Sequence, residues 1–529
     1  MKVAETICVL AASAMLLVPG ARLAHGQTPA QTTPSGATAI NLPRLGDAAA
    51  DELSPGTERR VGETIMRDLR REQVLLDDVE LNDYLNRFGA QLTDTPPAQG
   101  FSFEFFLVKD ASLNAFAMPG GFIGVHTGLI AASKSESELA SVLAHEVGHV
   151  TQRHIARMLA SQRQTSVLQI AALVLAALAA KSNPQAAIGV ASAGAGAQQQ
   201  LLLSFSRDAE READRVGLDI LRSAGFDANG MVAFFGRLQQ ASRVYESNAP
   251  SYLRSHPLTS ERIADMQVRI RQERYRQRAD SLEFLLAGTK LKVLADLSVD
   301  GLRSARSAME RALKEKTGAD ERASWYGLAL TSVAQRDFAS ADKALAELRK
   351  RLPNGHPFIE RVAVDAKLAA GDPKAAAQLA AAGLQKFPQA RALAHLQVQA
   401  LIDSKEHDRA VGFLQEQLVI YRSDPLLWRL LSQAQAGRGR PGEAHRAAAE
   451  EYALIGGWLA AIEQLRLAQR GGTLDLYRVT GRCADSRNAG AVFDRAAGPQ
   501  TVLGLRQQYG AMVSLMQSWT RRYRGPGLR

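Results

Sequence analysis

Cysteine is almost missing from this chain: Cys8 and Cys483 are the only two thiols in 529 residues. Cys8 lies in an N-terminal apolar run, residues 7–18, too early for a lipoprotein cleavage site. Lys2 precedes that run. Ala24-His25-Gly26 puts small residues at the −3 and −1 positions of a cleavage point before Gln27, so residues 1–26 read as a secretory signal peptide, with an uncleaved anchor as the alternative. Without the leader Cys483 stands alone, and no intrachain disulfide can form. A metal site that avoids thiolates suits such an oxidising compartment.

Long apolar runs are also lacking. Residues 167–180 are apolar but shorter than the roughly 18–20 residues a membrane-spanning helix needs. This excludes a protein built from several membrane spans. With the small, glycine-rich residues 187–197 they form an insert over 165–200. The insert reads as a mobile lid, against the alternatives of a buried helix or an element dipping into a membrane interface. No nucleic-acid motif occurs. The formal charge is +10, and removal of Lys2, Glu5 and Arg22 with the leader takes one from it. Such a charge favours anionic surfaces such as lipid head groups, hence peripheral membrane contact and no nucleic acid.

What is present begins with His145-Glu146-Val147-Gly148-His149. Histidines at i and i+4 share one helix face, so both imidazoles can reach one Zn²⁺. Glu146 sits beside that face, placed to take a proton from a zinc-bound water. The run 136–159 reads as one helix, with Leu139, Val142, Leu143 and Val147 in an apolar stripe. Two core histidines in a zinc-free helix are the plain alternative. On an unbroken helix His154, five residues past His149, lies about 140° round and faces away. His126, His356, His395, His407 and His445 are expected in surface or packing roles.

Catalytic zinc takes three protein ligands and keeps a position for water. The third is expected from 205–217, which reads as the start of a second helix with Ser206 or Asp208 as N-cap. Glu210 and Asp214 share a face there. Glu210 could ligate zinc, and Asp214 could hydrogen-bond a histidine Nδ1–H and fix its tautomer. A solvated charge run is the alternative, and spacing alone does not separate Glu210 from Glu212.

Around this core, residues 27–45 read as a flexible linker, and 58–73 and 79–93 as helices. Residues 101–108 alternate Phe101, Phe103, Phe105 and Leu107, a strand pattern. Residues 114–117 and 122–126 flank Met118-Pro-Gly-Gly121 as a hairpin-like pair. An exposed edge over Asn114, Ala115, Phe116, Ala117 and Met118 could bind an extended peptide as an added strand. Residues 285–470 read as a helical repeat array. Trp325 to Ala341 and Trp428 to Ala444 repeat one gap, the tryptophans lie about three 34-residue units apart, and Ala376 with Pro388 marks a unit between. Such an array offers a surface for protein partners. Residues 471–529 form a C-terminal extension with a helix over 501–522 and a basic tail. The expected fold class is an α+β zinc metallopeptidase domain over 46–280, mostly helical with a small β-ribbon or sheet, then an all-α tetratricopeptide-repeat solenoid over 285–470.

His145-Glu-Val-Gly-His149 followed by Ser206-Arg-Asp-Ala-Glu-Arg-Glu-Ala-Asp214 resembles the gluzincin family of HtpX and the CaaX prenyl proteases. Residues 114–130 are similar to its β-ribbon edge beside the active site. The resemblance covers most of 50–270, and the repeat region more loosely. It implies one Zn²⁺ per chain on His145, His149 and Glu210, Glu146 as the catalytic residue, and Asp214 as the motif partner of Glu210, and it disfavours Glu212. Ser255-His256-Pro257 resembles the His-Pro loop of the family's periplasmic, repeat-bearing branch, which implies His256 as a regulatory zinc ligand that holds the enzyme latent. Pro257 keeps His256 out of the α region, on an extended loop before a helix over 261–274 capped by Thr259 or Ser260. The resemblance also implies a periplasmic address and substrates among misassembled outer-membrane proteins. It adds a chaperone-like role in their assembly and docking on the assembly machinery through the repeats. The alternative is a non-proteolytic repeat scaffold or chaperone with a structural zinc.

Overall fold

The structure is a computed structural model, and it describes residues 54–161, 205–244, 251–271, 278–315 and 320–470. The leader, the linker, the 165–200 insert and the C-terminal extension lie outside these residues.

Helix α1 (Pro55–Arg71) starts where Ser54 caps the Thr57 N–H and Pro55 takes the first helical position. It precedes α2 (Val79–Thr93), capped by Asp78. Three strands follow, β1 (Glu104–Val108), β2 (Ala115–Met118) and β3 (Phe122–His126), in the order β1-β3-β2. β2 and β3 are the antiparallel pair expected from the turn, with Phe116 opposite Gly124. β1 pairs in parallel with β3, Phe106 opposite Gly124. The alternation in β1 does not separate a wet face from a dry one. Phe105 and Leu107 join the main core, while Phe106 and Val108 pack with Ile65, Met66 and Leu69 of α1. The sheet is thus covered on both faces. The α1 contact is close: a Cβ on Gly62 would lie 2.1 Å from the Pro119 carbonyl oxygen, and Gly120 and Gly121 turn the chain there at φ 79° and 80°.

The two sheet edges differ. Asn86 exchanges two hydrogen bonds with Phe105, and Leu76 N–H donates to the Leu107 carbonyl, so the β1 edge is occupied. Among the described residues nothing hydrogen-bonds to the outer edge of β2.

After α3 (Thr127–Ala132), α4 (Glu136–Thr151) is capped by Ser135 on the Glu138 N–H and is buried from Glu136 to His149. The helix expected over 136–159 is broken. Arg153 adopts φ 52°, and α5 (His154–Ser161) starts in a new direction. Arg153 is held there by a 2.6 Å ion pair to Glu58 of α1, both side chains largely buried. Helix α6 (Arg207–Ser223) is capped by Ser206 and lies against α4. Gly148 faces Ala213 and Gly217 faces His145 with no room for a Cβ. Then come α7 (Asn229–Val244), the short α8 (Ser251–Ser255) and α9 (Ser260–Arg271), where Thr259 Oγ1 accepts from the Arg262 N–H.

The rest is helical: α10 (Leu282–Leu294), α11 (Val299–Glu315), α12 (Glu321–Ala334), α13 (Phe338–Arg351), α14 (Pro357–Ala369), α15 (Pro373–Lys386), α16 (Arg391–Asp403), α17 (His407–Ile420), α18 (Pro425–Gly437), α19 (Pro441–Leu454) and α20 (Trp458–Arg470). Consecutive helices pack on each other, and Ala341, Ala376, Ala410 and Ala444, near the start of alternate helices, are buried. The core under α2 and α4 continues into Phe284, Leu286, Tyr326 and Phe358 of this array. The described residues all belong to one compact unit.

A charge cluster absent from the sequence reading fastens the array to α2. Lys290 lies 2.8 Å from both Asp78 and Glu80, Arg361 is 2.9 Å from Asp78, and Arg391 bridges Asp83 and Asp424 at 2.6 Å each. This part of the array faces the same chain rather than a partner. Burial alone would raise the Asp78 carboxyl, but Lys290 and Arg361 outweigh it and hold it well below the usual carboxylate range. A depressed carboxyl stabilises the fold above its unfolded pKa of about 3.9, and this is lost as pH falls through the folded value. Asp78→Asn is therefore expected to cost about 1–2 kcal/mol at pH 7. Urea denaturation should show the gap to wild type closing below about pH 3. A gap that does not depend on pH would remove the charge from the account.

Candidate metal centre

Helical periodicity puts His145 and His149, one turn apart in α4, on the same side, and α4 packs against α6. His145 Nε2 and His149 Nε2 are 3.0 Å apart. Glu210 reaches them from the first turn of α6, with its two oxygens each 3.5 Å from one of those nitrogens. His256 completes the group: its Nδ1 is 3.0 Å from Glu210 Oε1 and 3.4 Å from His145 Nε2. All four residues are buried, and their donor atoms lie within 4.8 Å of one another. Zinc–nitrogen bonds of about 2.0–2.1 Å in a tetrahedron put donors about 3.3 Å apart, so these spacings fit one such ion.

Glu146 is 0% exposed, and neither of its oxygens has a hydrogen-bond partner among the described residues. The nearest cationic candidate is His256 Nε2, at 3.5 Å. A buried carboxylate without partners is costly unless something polar meets it, which here fits a metal and its water.

Asp214 Oδ1 lies 2.9 Å from His145 Nδ1, on the side of the ring away from the other donors. Arg262 forks onto Asp214 with hydrogen bonds of 2.7 and 2.8 Å, donates to the Pro257 carbonyl at 2.7 Å, and lies 2.8 Å from Glu210 Oε2. This arginine, 3% exposed, was missed in the sequence. Its only signal was that two acids one turn apart need a buried cation, and the chain has many arginines to choose from. Burial would raise the Glu210 carboxyl, yet His256 and His145 outweigh it and hold it well below the ordinary value. Burial opposes a charge on His145 as well, but Asp214 and Glu210 prevail and lift it to about 9. His149 is pushed well down, by burial first and then by the charge of His145.

His154 corrects the sequence reading. It does not face away: the break at Arg153 carries it back over His149, with Nδ1 2.9 Å from His149 Nδ1. Glu212, weighed against Glu210 as a ligand, instead pairs with His154 at 3.0 Å and Arg157 at 2.7 Å. Two rings seal the group. Phe205 stacks on His149 at 3.9 Å between centroids, and Tyr252 on His256 at 4.6 Å. Met118, the last residue of β2, and the turn residues Pro119 to Gly121 line a small pocket with His149 and Arg153. Of the other histidines, His126 meets Ser112 and His395 meets Asp424, both as packing residues.

Two imidazoles and a carboxylate spaced for one metal ion, beside a second buried carboxylate, are the working parts of a metal-dependent peptidase. Comparison with known proteins gives the family. Residues 80–270 match the model of Peptidase family M48. A putative beta-barrel assembly-enhancing protease of Vibrio cholerae is 33% identical over 80% of this chain and 87% of its own length. The beta-barrel assembly-enhancing protease of Escherichia coli K12 is 32% identical over 85% of this chain and 91% of its own. A mitochondrial metalloendopeptidase OMA1 of Arabidopsis thaliana is 31% identical over 37% of this chain and 38% of its own. The chain belongs to peptidase family M48, a gluzincin family, and is a metalloprotease. No helix among the described residues is long and apolar enough to cross a membrane.

Proposed function

We propose that this protein is a zinc-dependent endopeptidase of the cell envelope that cleaves misassembled β-barrel outer-membrane proteins and assists their assembly. The observation that carries this reading is the buried Glu146 carboxylate, without a hydrogen bond among the described residues, beside four donors at zinc spacing. His145, His149 and Glu210 hold the ion. Zinc bound there supplies Lewis-acid polarisation of the scissile carbonyl and acidifies a water. Glu146 takes the proton of the attacking water and returns it to the leaving amine. Asp214 orients His145 through Nδ1, and Arg262 holds Asp214 and Glu210 in place. The open edge of β2, Asn114 to Met118, aligns the substrate as an added strand. The relatives' names, which couple a protease to β-barrel assembly, support β-barrel proteins as substrates, and the leader-like residues 1–26 support a periplasmic address. The paired helices over 285–470 serve as tetratricopeptide repeats that dock on the assembly machinery. The test is metal analysis together with cleavage of an unfolded β-barrel protein, before and after chelation. Protein as purified that holds no zinc, or cleavage that survives its removal, overturns the reading.

His256 acts as a latch in this scheme, taking the position that water needs. His256→Ala is expected to keep its zinc and to raise basal cleavage by about the inverse of the fraction of chains with the latch open. A four-donor site is also how structural zinc is held. If His256→Ala instead loses its zinc and its fold, the scaffold reading with a structural ion is the better one.

A further inference from the structure

The helix break after Thr151 creates a buried group that the reaction above does not use. His154 is 3% exposed. Its Nδ1 is 2.9 Å from His149 Nδ1, and its Nε2 is 3.0 Å from Glu212 Oε2. Arg157 Nη1 donates to the same carboxylate oxygen at 2.7 Å. His149 Nε2 is turned the other way, toward His145 and Glu210.

These contacts dictate where the protons sit. A neutral imidazole has one donor nitrogen and one acceptor nitrogen. His149 can offer its Nε2 lone pair to a metal only if its proton is on Nδ1. That proton is then donated to His154 Nδ1. His154 must carry its own proton on Nε2, the nitrogen that faces Glu212. The opposite order would set two acceptors, Nε2 and a carboxylate oxygen, against each other at 3.0 Å.

We propose that His154 and Glu212 are positioning residues for His149, a two-member relay that fixes its tautomer and ring plane for metal binding. The proposal rests on the metal-centre reading. The two ligand histidines are thus braced differently. His145 meets a carboxylate directly, at Asp214. His149 meets a neutral ring, and the charge of Glu212 sits one ring farther out, 36% exposed in its side chain and shared with Arg157. The second ligand gains its orientation without a further buried charge next to the ion.

Zinc affinity measured by chelator competition on the full chain tests this, with the melting temperature of the metal-free protein as the control on folding. His154→Phe fills the site but accepts no hydrogen bond, and it should weaken zinc binding about 10–100-fold. His154→Asn places a carbonyl oxygen where Nδ1 was, and it should stay close to wild type. Equal losses in the two variants, or none in His154→Phe, would reduce His154 to packing and overturn the relay. ¹⁵N NMR of labelled histidines in the zinc-loaded wild type needs no variant. It should find His154 protonated on Nε2 and His149 on Nδ1, and the reverse tautomer on His154 overturns the proposal. Wild-type protein that binds no zinc brings down the metal centre and the relay together. Zinc bound at wild-type strength by His154→Phe brings down the relay alone.

Discussion

Replacing Glu146 with Gln should lower cleavage of an unfolded protein substrate by about 10²–10⁴-fold while each chain keeps its metal. That is about 3–5 kcal/mol added to the barrier. The amide has the size of the carboxylate and touches the same neighbours, so binding and packing are preserved. What goes is the ability to accept a proton. The expectation is sharp because Glu146 is fully buried and its oxygens have no hydrogen-bond partner among the described residues, so the substitution breaks no hydrogen bond and changes only the charge facing His256 Nε2 at 3.5 Å. Gln can even relieve the cost of that buried charge, and the metal-free variant should be as stable as wild type or more so. Turnover at the wild-type rate would mean that Glu146 is not the base. Absence of turnover in both forms, with partner binding intact, would favour the scaffold reading.

Arg262→Leu should cost about 3–5 kcal/mol of stability in the metal-free protein, read from urea denaturation. Arg262 is 3% exposed and faces two carboxylates that are each no more than 1% exposed. Removing the guanidinium leaves Asp214 and Glu210 close together, with only the histidines to balance them, and uncompensated buried charge is what makes half of an ion pair expensive. Arg262→Lys should recover only part of the loss. An ammonium cannot fork onto Asp214 while also reaching Glu210 and the Pro257 carbonyl. Saturating zinc should narrow the deficit, because its charge meets Glu210 directly and a bound ligand stabilises the fold. A loss below about 1 kcal/mol would show that the arginine is dispensable to the fold.

How much of this was legible beforehand depends on how far each feature reaches along the chain. His145 and His149 are one turn apart, as are Glu210 and Asp214, and helical periodicity alone sets each pair on one face. The β2–β3 pair was legible from the Pro-Gly-Gly turn. The parallel β1–β3 pairing was not, because the Phe-rich alternation of β1 serves two cores rather than a core and water. Spacing could not choose between Glu210 and Glu212. The structure turns Glu210 toward the histidines and Glu212 toward His154 and Arg157, two positions on one helix with different neighbours. His154 departs from the sequence expectation for a definite reason: the 136–159 pattern is helical throughout, and at the break Arg153 pairs with Glu58, 95 residues away, a contact no local pattern records.

By itself, then, the sequence determined the local parts: which segments are helical, which side chains share a face, and that two imidazoles and a nearby acid are available for a metal. Tertiary structure alone decided what meets those faces. It brought His256 to within 3.0 Å of Glu210, aimed Arg262 at both acids, folded His154 back over His149, and fastened the array to α2 through Lys290, Arg361 and Arg391. The physical reason is one of range. Backbone geometry repeats every few residues and leaves a pattern in the chain. A buried charge is paid for by whichever partner the packing delivers, and no local pattern records that choice.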